Sequence, residues 1–131
     1  MADSSQTART VLIVDDNEDN LTIYSAYLTQ RGYKVTVARN GREGVDSALA
    51  NLPQIILMDL SMPVLDGFAA LMLLRGNALT GKIPVIALTA HALTEERDRG
   101  IEFGFDSYLS KPIHPLEVIR EVARFIGTPG Q

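Results

Sequence analysis

Unbroken apolar runs recur along the chain, each bounded by charged or turn-forming residues. The clearest are VLIV at 11–14, IILM at 55–58 and VIAL at 85–88. A short run of this kind predicts a strand that is buried on both faces. Two weaker segments also read as strands: residues 33–37, where apolar and polar residues alternate, and Ser107 to Ser110. The pattern therefore predicts five strands.

Between these runs, apolar residues recur at the three- and four-residue spacing of helices. The first such segment is Asn17 to Arg31, with Glu18 and Asp19 in its first turn and Gly32 as its stop signal. The other predicted helices are a second one marked by Val45, Ala48 and Leu49, a third from Phe68 to about Gly76, a charged fourth from about Thr94 to Phe103, and a last one that begins at Pro115 and includes Ile126.

Strands and helices alternate throughout, and their connections are short. This order predicts an α/β fold, with a parallel sheet covered by helices on both faces. We expect residues 1–9 to form a flexible leader, residues 10–127 a single domain and residues 128–131 a short tail. Since no segment is left for an effector domain, the domain's own surface is expected to be its output.

Composition narrows the classes of function. The 131 residues carry a formal net charge of −4 and no cysteine. An acidic chain without a basic stripe argues against nucleic-acid binding, and the absence of cysteine excludes disulfides and thiolate chemistry. No apolar run is long enough to span a bilayer, and the first residues lack the apolar core of a signal peptide. We therefore expect a cytoplasmic protein with no membrane partner.

Reactive side chains follow the predicted strands. Asp15 and Asp16 follow the first strand, Asp59 the third, Thr89 ends the fourth and Lys111 follows the fifth. Because the carboxyl ends of parallel strands share one edge of a sheet, these groups are expected to converge. Clustered carboxylates repel one another, and Mg²⁺ is the hard oxygen-seeking cation that would relieve this. A carboxylate can also attack phosphorus, with the metal and a lysine holding the phosphoryl oxygens.

The segments VLIVDDN, LMDLSMP, ALTA and YLSKP resemble the signature of the receiver domain of two-component response regulators, over about residues 11–126. The resemblance implies a flavodoxin-like, doubly wound five-stranded sheet of order 2-1-3-4-5 with five helices. It also implies that Asp59 accepts the phosphoryl group. The Mg²⁺ or Mn²⁺ ligands would be Asp15, Asp16, Asp59 and the backbone carbonyl of Ser61, with Asp16 the more direct of the acidic pair. Lys111 would bind the phosphoryl group.

The same resemblance assigns roles in switching. Thr89 would be the switch hydroxyl and Tyr108 the switch aromatic, while Ser61 and His91 would flank the attacking water and tune the lifetime of the phosphoryl group. In the family the lysine–proline peptide is cis, which the sequence of Lys111 and Pro112 does not decide. The phosphoryl donor would be a histidine kinase or a histidine phosphotransfer protein. The surface presented to a downstream protein would consist of the charged fourth predicted helix (about Thr94 to Phe103), the fifth strand, and the last predicted helix, which is the fifth and begins at Pro115.

Other interpretations compete with these. Asp16 alone could cap the first helix, Thr89 could be an ordinary strand residue, Tyr108 half-buried packing and His91 a surface loop residue. The chain could be a receiver domain excised from a hybrid kinase or larger regulator, or a receiver-like module that binds partners without phosphorylation. A phosphatase of the haloacid dehalogenase type needs a second acid two residues after the nucleophile, where this chain has Ser61. We therefore expect a signalling domain, not an enzyme acting on a separate substrate.

Overall fold

A computed structural model describes residues 9–62, 64–90 and 104–129. Its sheet has five parallel strands in the order β2-β1-β3-β4-β5, which confirms the predicted topology. The strands are β1 (Thr10–Val14), β2 (Lys34–Ala38), β3 (Ile55–Asp59), β4 (Val85–Thr89) and β5 (Ser107–Ser110). Within the described residues the helices are α1 (Glu18–Gln30), α2 (Gly41–Asn51), α3 (Gly67–Arg75) and α4 (Pro115–Ile126). The predicted helix from Thr94 to Phe103 and the predicted site residue His91 lie outside the described residues.

The sheet separates two apolar cores, which explains why its inner strands read as unbroken apolar runs. Alternate residues of β1, β3 and β4 point to opposite faces, so that one face packs against α1 and α4 and the other against α2 and α3. Every residue of β3 and of β4 is buried. Each large apolar side chain buried in this way stabilises the fold by about 1.5–3 kcal/mol. In the part of the chain that the structure describes, no helix has both the length and the apolar character to cross a membrane.

The first helix is capped by Asn17. Its side-chain oxygen accepts a hydrogen bond from the backbone N–H of Asn20 at 3.0 Å, which satisfies one of the donors that a helix start leaves unpaired. The alternative in which Asp16 caps this helix is therefore wrong. Asp16 is exposed in the turn between β1 and α1, and its carboxylate does not serve as the helix cap.

A candidate acidic site at the carboxyl edge of the sheet

Three carboxylates meet where the central strands end. One oxygen from each of Asp15, Asp16 and Asp59 lies within 4.8 Å of the others. Asp15 and Asp59 are buried, at 0% and 3% exposure, whereas Asp16 faces solvent. Three oxygen donors at this spacing suit a hard divalent cation. The structure thus brings the three predicted acidic residues together, and the cluster is open to solvent on the side of Asp16.

Asp15 is held in place by its neighbours along the chain. Its carboxylate accepts hydrogen bonds from the backbone N–H of Asn17 at 2.9 Å and from the side chain of Asn20 at 3.1 Å. Burial raises the pKa of Asp15 above its usual value; the nearby Asp59 adds to the rise, while the bond from Asn17 and the charge of Lys111 oppose it. In the absence of a cation, the ionised form of Asp15 is therefore a local source of instability.

Asp59 accepts one hydrogen bond from its own loop and one from Lys111, the residue that follows β5. The backbone N–H of Ser61 donates to Asp59 Oδ1 at 3.0 Å, and Lys111 Nζ donates to Asp59 Oδ2 at 3.1 Å. Lys111 Nζ also lies 3.9 Å from Asp15 Oδ2. The backbone N–H of Lys111 donates to the carbonyl of Thr89 at 2.7 Å, and the Lys111–Pro112 peptide bond is cis. An extension of the strand pairing therefore fixes the lysine next to Asp59.

Thr89 and Tyr108 belong to neighbouring strands. Thr89 is buried and pairs with Ser110, while Tyr108 pairs with Ala87, two residues before Thr89. Residues two apart on a strand share a face, and Ala87 and Tyr108 both contribute to the core on the α2–α3 side. Thr89 and Tyr108 therefore lie on the same face of the sheet. The pairing of β4 with β5 therefore connects Tyr108 to the end of β4, where Thr89 lies.

Gly67 supports the site through its backbone, and the sequence analysis did not single it out. A Cβ atom at this position would lie 2.6 Å from the carbonyl oxygen of Asp59 and 2.9 Å from the Cα of Leu60. Only glycine lets the first turn of α3 approach the backbone of Asp59 this closely. The Asp-Gly pair that precedes the third apolar helix was the available signal, and Asp66 indeed caps α3 by accepting from Ala69 N–H.

The buried position of Asp15 predicts a stability effect with a definite pH dependence. Because the folded pKa of Asp15 lies above its unfolded value, the folded state binds this proton more readily. Ionisation at neutral pH therefore destabilises the fold; the penalty begins to shrink as the pH falls below the folded pKa and is absent below the unfolded pKa. In metal-free buffer at pH 7, we expect Asp15→Asn to melt about 3 °C higher than the unmodified chain, the shift that about 1 kcal/mol gives a domain of this size.

Thermal melts followed by circular dichroism across a pH series measure this effect. Asp46→Asn is the matched control, because Asp46 is an exposed acid that pairs with Arg42. The advantage of Asp15→Asn should shrink toward acidic pH, and saturating Mg²⁺ should reverse it by stabilising only the unmodified chain. An advantage that stays constant with pH would contradict the proposed penalty.

The sequence over residues 11–123 matches the family model of the response regulator receiver domain. The chain belongs to this family. Receiver domains are signalling modules of two-component systems, and the match leaves no support for a phosphatase of the haloacid dehalogenase type. The four segments from which the resemblance was inferred are those that form the acidic site and its surroundings.

Curated relatives of this receiver domain range from proteins of its own size to much longer ones. It is 34% identical to the polar-differentiation response regulator DivK of Brucella anthropi, over 91% of this chain and 97% of that protein. It is 36% identical to the transcriptional regulatory protein PrrA of Mycobacterium tuberculosis, over 98% of this chain but 54% of that protein. A hybrid signal transduction histidine kinase of Dictyostelium discoideum is 34% identical over 94% of this chain and 8% of its own length. The whole-protein activities of these longer relatives do not transfer to the receiver domain.

Solved structures show the same fold. The receiver domain of the sensor histidine kinase PA1611 from Pseudomonas aeruginosa, which has a magnesium ion coordinated in its active-site cleft, superposes with a TM-score of 0.83 at 38% identity, covering 92% of this chain and 98% of that one. The chemotaxis protein CheY4 of Vibrio cholerae superposes with a TM-score of 0.84 at 29% identity, covering 90% and 98%. The flavodoxin-like receiver architecture is thereby confirmed.

Proposed function

We propose that this receiver domain, residues 10–127, accepts a phosphoryl group on Asp59 in a Mg²⁺-dependent reaction. The observation that carries the proposal is the 3.1 Å contact of Lys111 Nζ with Asp59 Oδ2, in a cluster whose three carboxylates lie within 4.8 Å of one another. A lysine on one side and a cation site on the other provide the two positive groups that phosphoryl transfer requires.

In the proposed reaction, an Asp59 oxygen attacks the phosphorus of a phosphohistidine. The new O–P bond forms as the P–N bond breaks, and the leaving imidazole nitrogen keeps the electron pair and takes up a proton. Asp15, Asp16, Asp59 and the Ser61 carbonyl would hold Mg²⁺ or Mn²⁺, which supplies positive charge to the phosphoryl oxygens when bound. Hydrolysis of the acyl phosphate by water ends the signal.

The phosphoryl donor would be a histidine kinase or a histidine phosphotransfer protein, and the transfer would take place in the cytoplasm. Ser61 is exposed beside Asp59, so its small side chain would leave room for the hydrolytic water. His91, the other candidate for tuning the lifetime, lies outside the described residues. An intact set of acids with its paired lysine favours this function over a receiver-like module that binds partners without phosphorylation.

The proposed switch runs from Thr89 to Tyr108. A phosphoryl group on Asp59 brings negative charge and acceptor oxygens, and Thr89 would donate to one of them by moving toward Asp59. The space vacated on that face of β4 would admit the ring of Tyr108, which is half-buried on the neighbouring strand. This would shift an equilibrium between two forms of the output surface, which includes β5 and α4, for binding a downstream protein.

Loss of the Thr89 hydroxyl should separate chemistry from signalling. Thr89→Ala is expected to accept the phosphoryl mimic beryllofluoride but to show a small fraction of the chemical-shift change at Tyr108. Thr89→Ser keeps the hydroxyl and is the control that should respond as the unmodified chain does. A coupling of about 1–3 kcal/mol, typical of allosteric pairs, would be lost. Equal shifts at Tyr108 in Thr89→Ala and Thr89→Ser would show that the hydroxyl does not carry the signal.

Incubation with acetyl phosphate and Mg²⁺, followed by intact mass measurement, tests the proposed function. The expected result is a gain of one phosphoryl mass that disappears when the metal is chelated. A chain that gains no mass under these conditions and also fails to take phosphate from any phosphorylated histidine phosphotransfer domain is a binding module, and the proposal is then wrong.

A further inference from the structure

A second concave site lies at the opposite edge of the sheet. It is a cavity of about 490 Å³ whose lining includes Arg9, Gln54 and Pro84, the residues that directly precede β1, β3 and β4. These strands are five residues long, which separates the two edges by about 16 Å. The cavity is therefore remote from the acidic cluster, and its role does not depend on the function proposed for Asp59.

The charged residues of this cavity are all basic. Arg9 and Lys82 line it, and the described lining contains no acidic side chain, although the whole chain carries a net charge of −4. The Nε atom of Arg9 is buried and has no hydrogen-bond partner among the described residues. A buried donor without an acceptor is destabilising, and such donors are rare in folded proteins. The cavity thus has the charge that would bind an anion.

The remaining walls are mainly apolar. Pro53, Leu79, Ile83, Pro84 and Ile126 contribute to them. Among these, Leu79 is 64% exposed, so its side chain is accessible to a ligand. Small-molecule sites commonly have volumes of about 300–1,000 Å³, apolar walls and a few polar groups that orient the ligand. The volume of this cavity falls within that range, and its open lining combines apolar side chains with a few polar ones.

One wall of the cavity is held rigidly by Arg75 at the end of α3. Its guanidinium donates to the carbonyls of Gly81 at 3.2 Å and Ile83 at 2.7 Å, and to Asp106 Oδ2 at 2.7 Å. These bonds fix the segment that carries Lys82 and Ile83 against the start of β5. A wall that is ordered before a ligand arrives lowers the entropic cost of binding.

We propose that this cavity binds a small amphipathic anion, with an acidic head group on Arg9 and Lys82 and an aromatic or hydrocarbon body against Leu79, Ile83 and Ile126. The basic pair would select the negative charge, and the apolar walls would select against inorganic anions. The net negative charge of the protein disfavours an anionic bilayer surface as the source of the head group, so the ligand is a free small molecule.

Paired fluorescent probes test the proposal. Anilinonaphthalene sulfonate carries the anionic head, and N-phenylnaphthylamine has the same aromatic body without it. We expect the sulfonate to bind the full chain at one site and to shift the backbone amide NMR signals of residue 54 and residues 78–83. Arg9→Gln and Lys82→Gln should each weaken its binding by about tenfold, as loss of a charged hydrogen bond does, and leave binding of the neutral probe unchanged.

Three further variants define the outcomes. Arg9→Lys keeps the charge and should retain most of the affinity, Arg120→Gln removes an exposed charge elsewhere and should change nothing, and Asp59→Ala should bind the sulfonate as the unmodified chain does. The proposal is overturned if the sulfonate shifts signals elsewhere, if both probes lose affinity equally in Arg9→Gln, or if Arg120→Gln weakens binding as much as Lys82→Gln does.

Discussion

Replacement of Asp59 by alanine should abolish phosphorylation, leaving no detectable phosphoryl mass under conditions in which the unmodified chain gains one. The expectation rests on the different burial and hydrogen bonding of the acids in the cluster. Asp15 is fully buried, and both of its oxygens accept hydrogen bonds from the first turn of the α1 region. Lys111 Nζ is closer to Asp59, at 3.1 Å, than to Asp15, at 3.9 Å. Of the two buried acids, only Asp59 has the lysine within hydrogen-bond distance.

Asp46→Ala is the control for this experiment, since it removes an exposed carboxylate from α2. It should be phosphorylated to the same extent as the unmodified chain. Phosphorylation of Asp59→Ala at a comparable rate would mean that Asp15 or Asp16 is the acceptor. Circular dichroism on each variant establishes that the fold is intact, because removing a buried acid from a repulsive cluster is not expected to unfold the domain.

Neutralisation of Asp16 should have the second large effect, on metal affinity. Asp16→Asn is expected to weaken Mg²⁺ binding by at least about tenfold, the lower end of what loss of even an outer-shell partner costs a metal site. Asp16 is exposed and has an oxygen within 4.8 Å of oxygens of the two buried acids, so it can reach a cation from the solvent side. Calorimetric titration of the unphosphorylated chain with Mg²⁺ measures this affinity.

Asp19→Asn is the matched control for the metal titration. Asp19 is an exposed acid in the first turn of α1, three residues beyond Asp16, and it contributes similarly to the overall negative charge. Its loss should change the Mg²⁺ affinity by less than about twofold, an effect of long-range charge alone. If Asp16→Asn behaves like Asp19→Asn, Asp16 is not a ligand and the metal is held by the buried acids.

Most of the fold could be predicted because its sheet is buried on both faces. The runs at 11–14, 55–58 and 85–88 are unbroken apolar segments for this reason, and the structure places them in the three central strands of the sheet. The convergence of Asp15, Asp59 and Lys111 followed from the same logic, since parallel strands share one carboxyl edge. What the pattern could not show was which acid of the Asp15–Asp16 pair is buried.

Other features depend on contacts between distant parts of the chain. Arg75 reads as an ordinary charge at the end of a helix, yet its guanidinium donates to three loop carbonyls and to the carboxylate of Asp106. Met72 is one of the apolar residues that mark the third helix, but its side chain is 64% exposed while Leu71 and Leu74 are buried. The requirement for glycine at position 67 arises from the backbone of Asp59, which no local pattern contains.

The most direct test of the central claim is to locate the phosphoryl group chemically. Borohydride reduces an aspartyl phosphate, but not a free carboxylate, to homoserine, which remains in the chain and can be identified by peptide mass spectrometry. After treatment with acetyl phosphate and Mg²⁺, we predict homoserine at position 59 and aspartate unchanged at positions 15 and 16. Homoserine at either of those positions, or its absence from position 59 in a chain that has gained phosphoryl mass, would contradict the assignment of Asp59 as the phosphoryl acceptor.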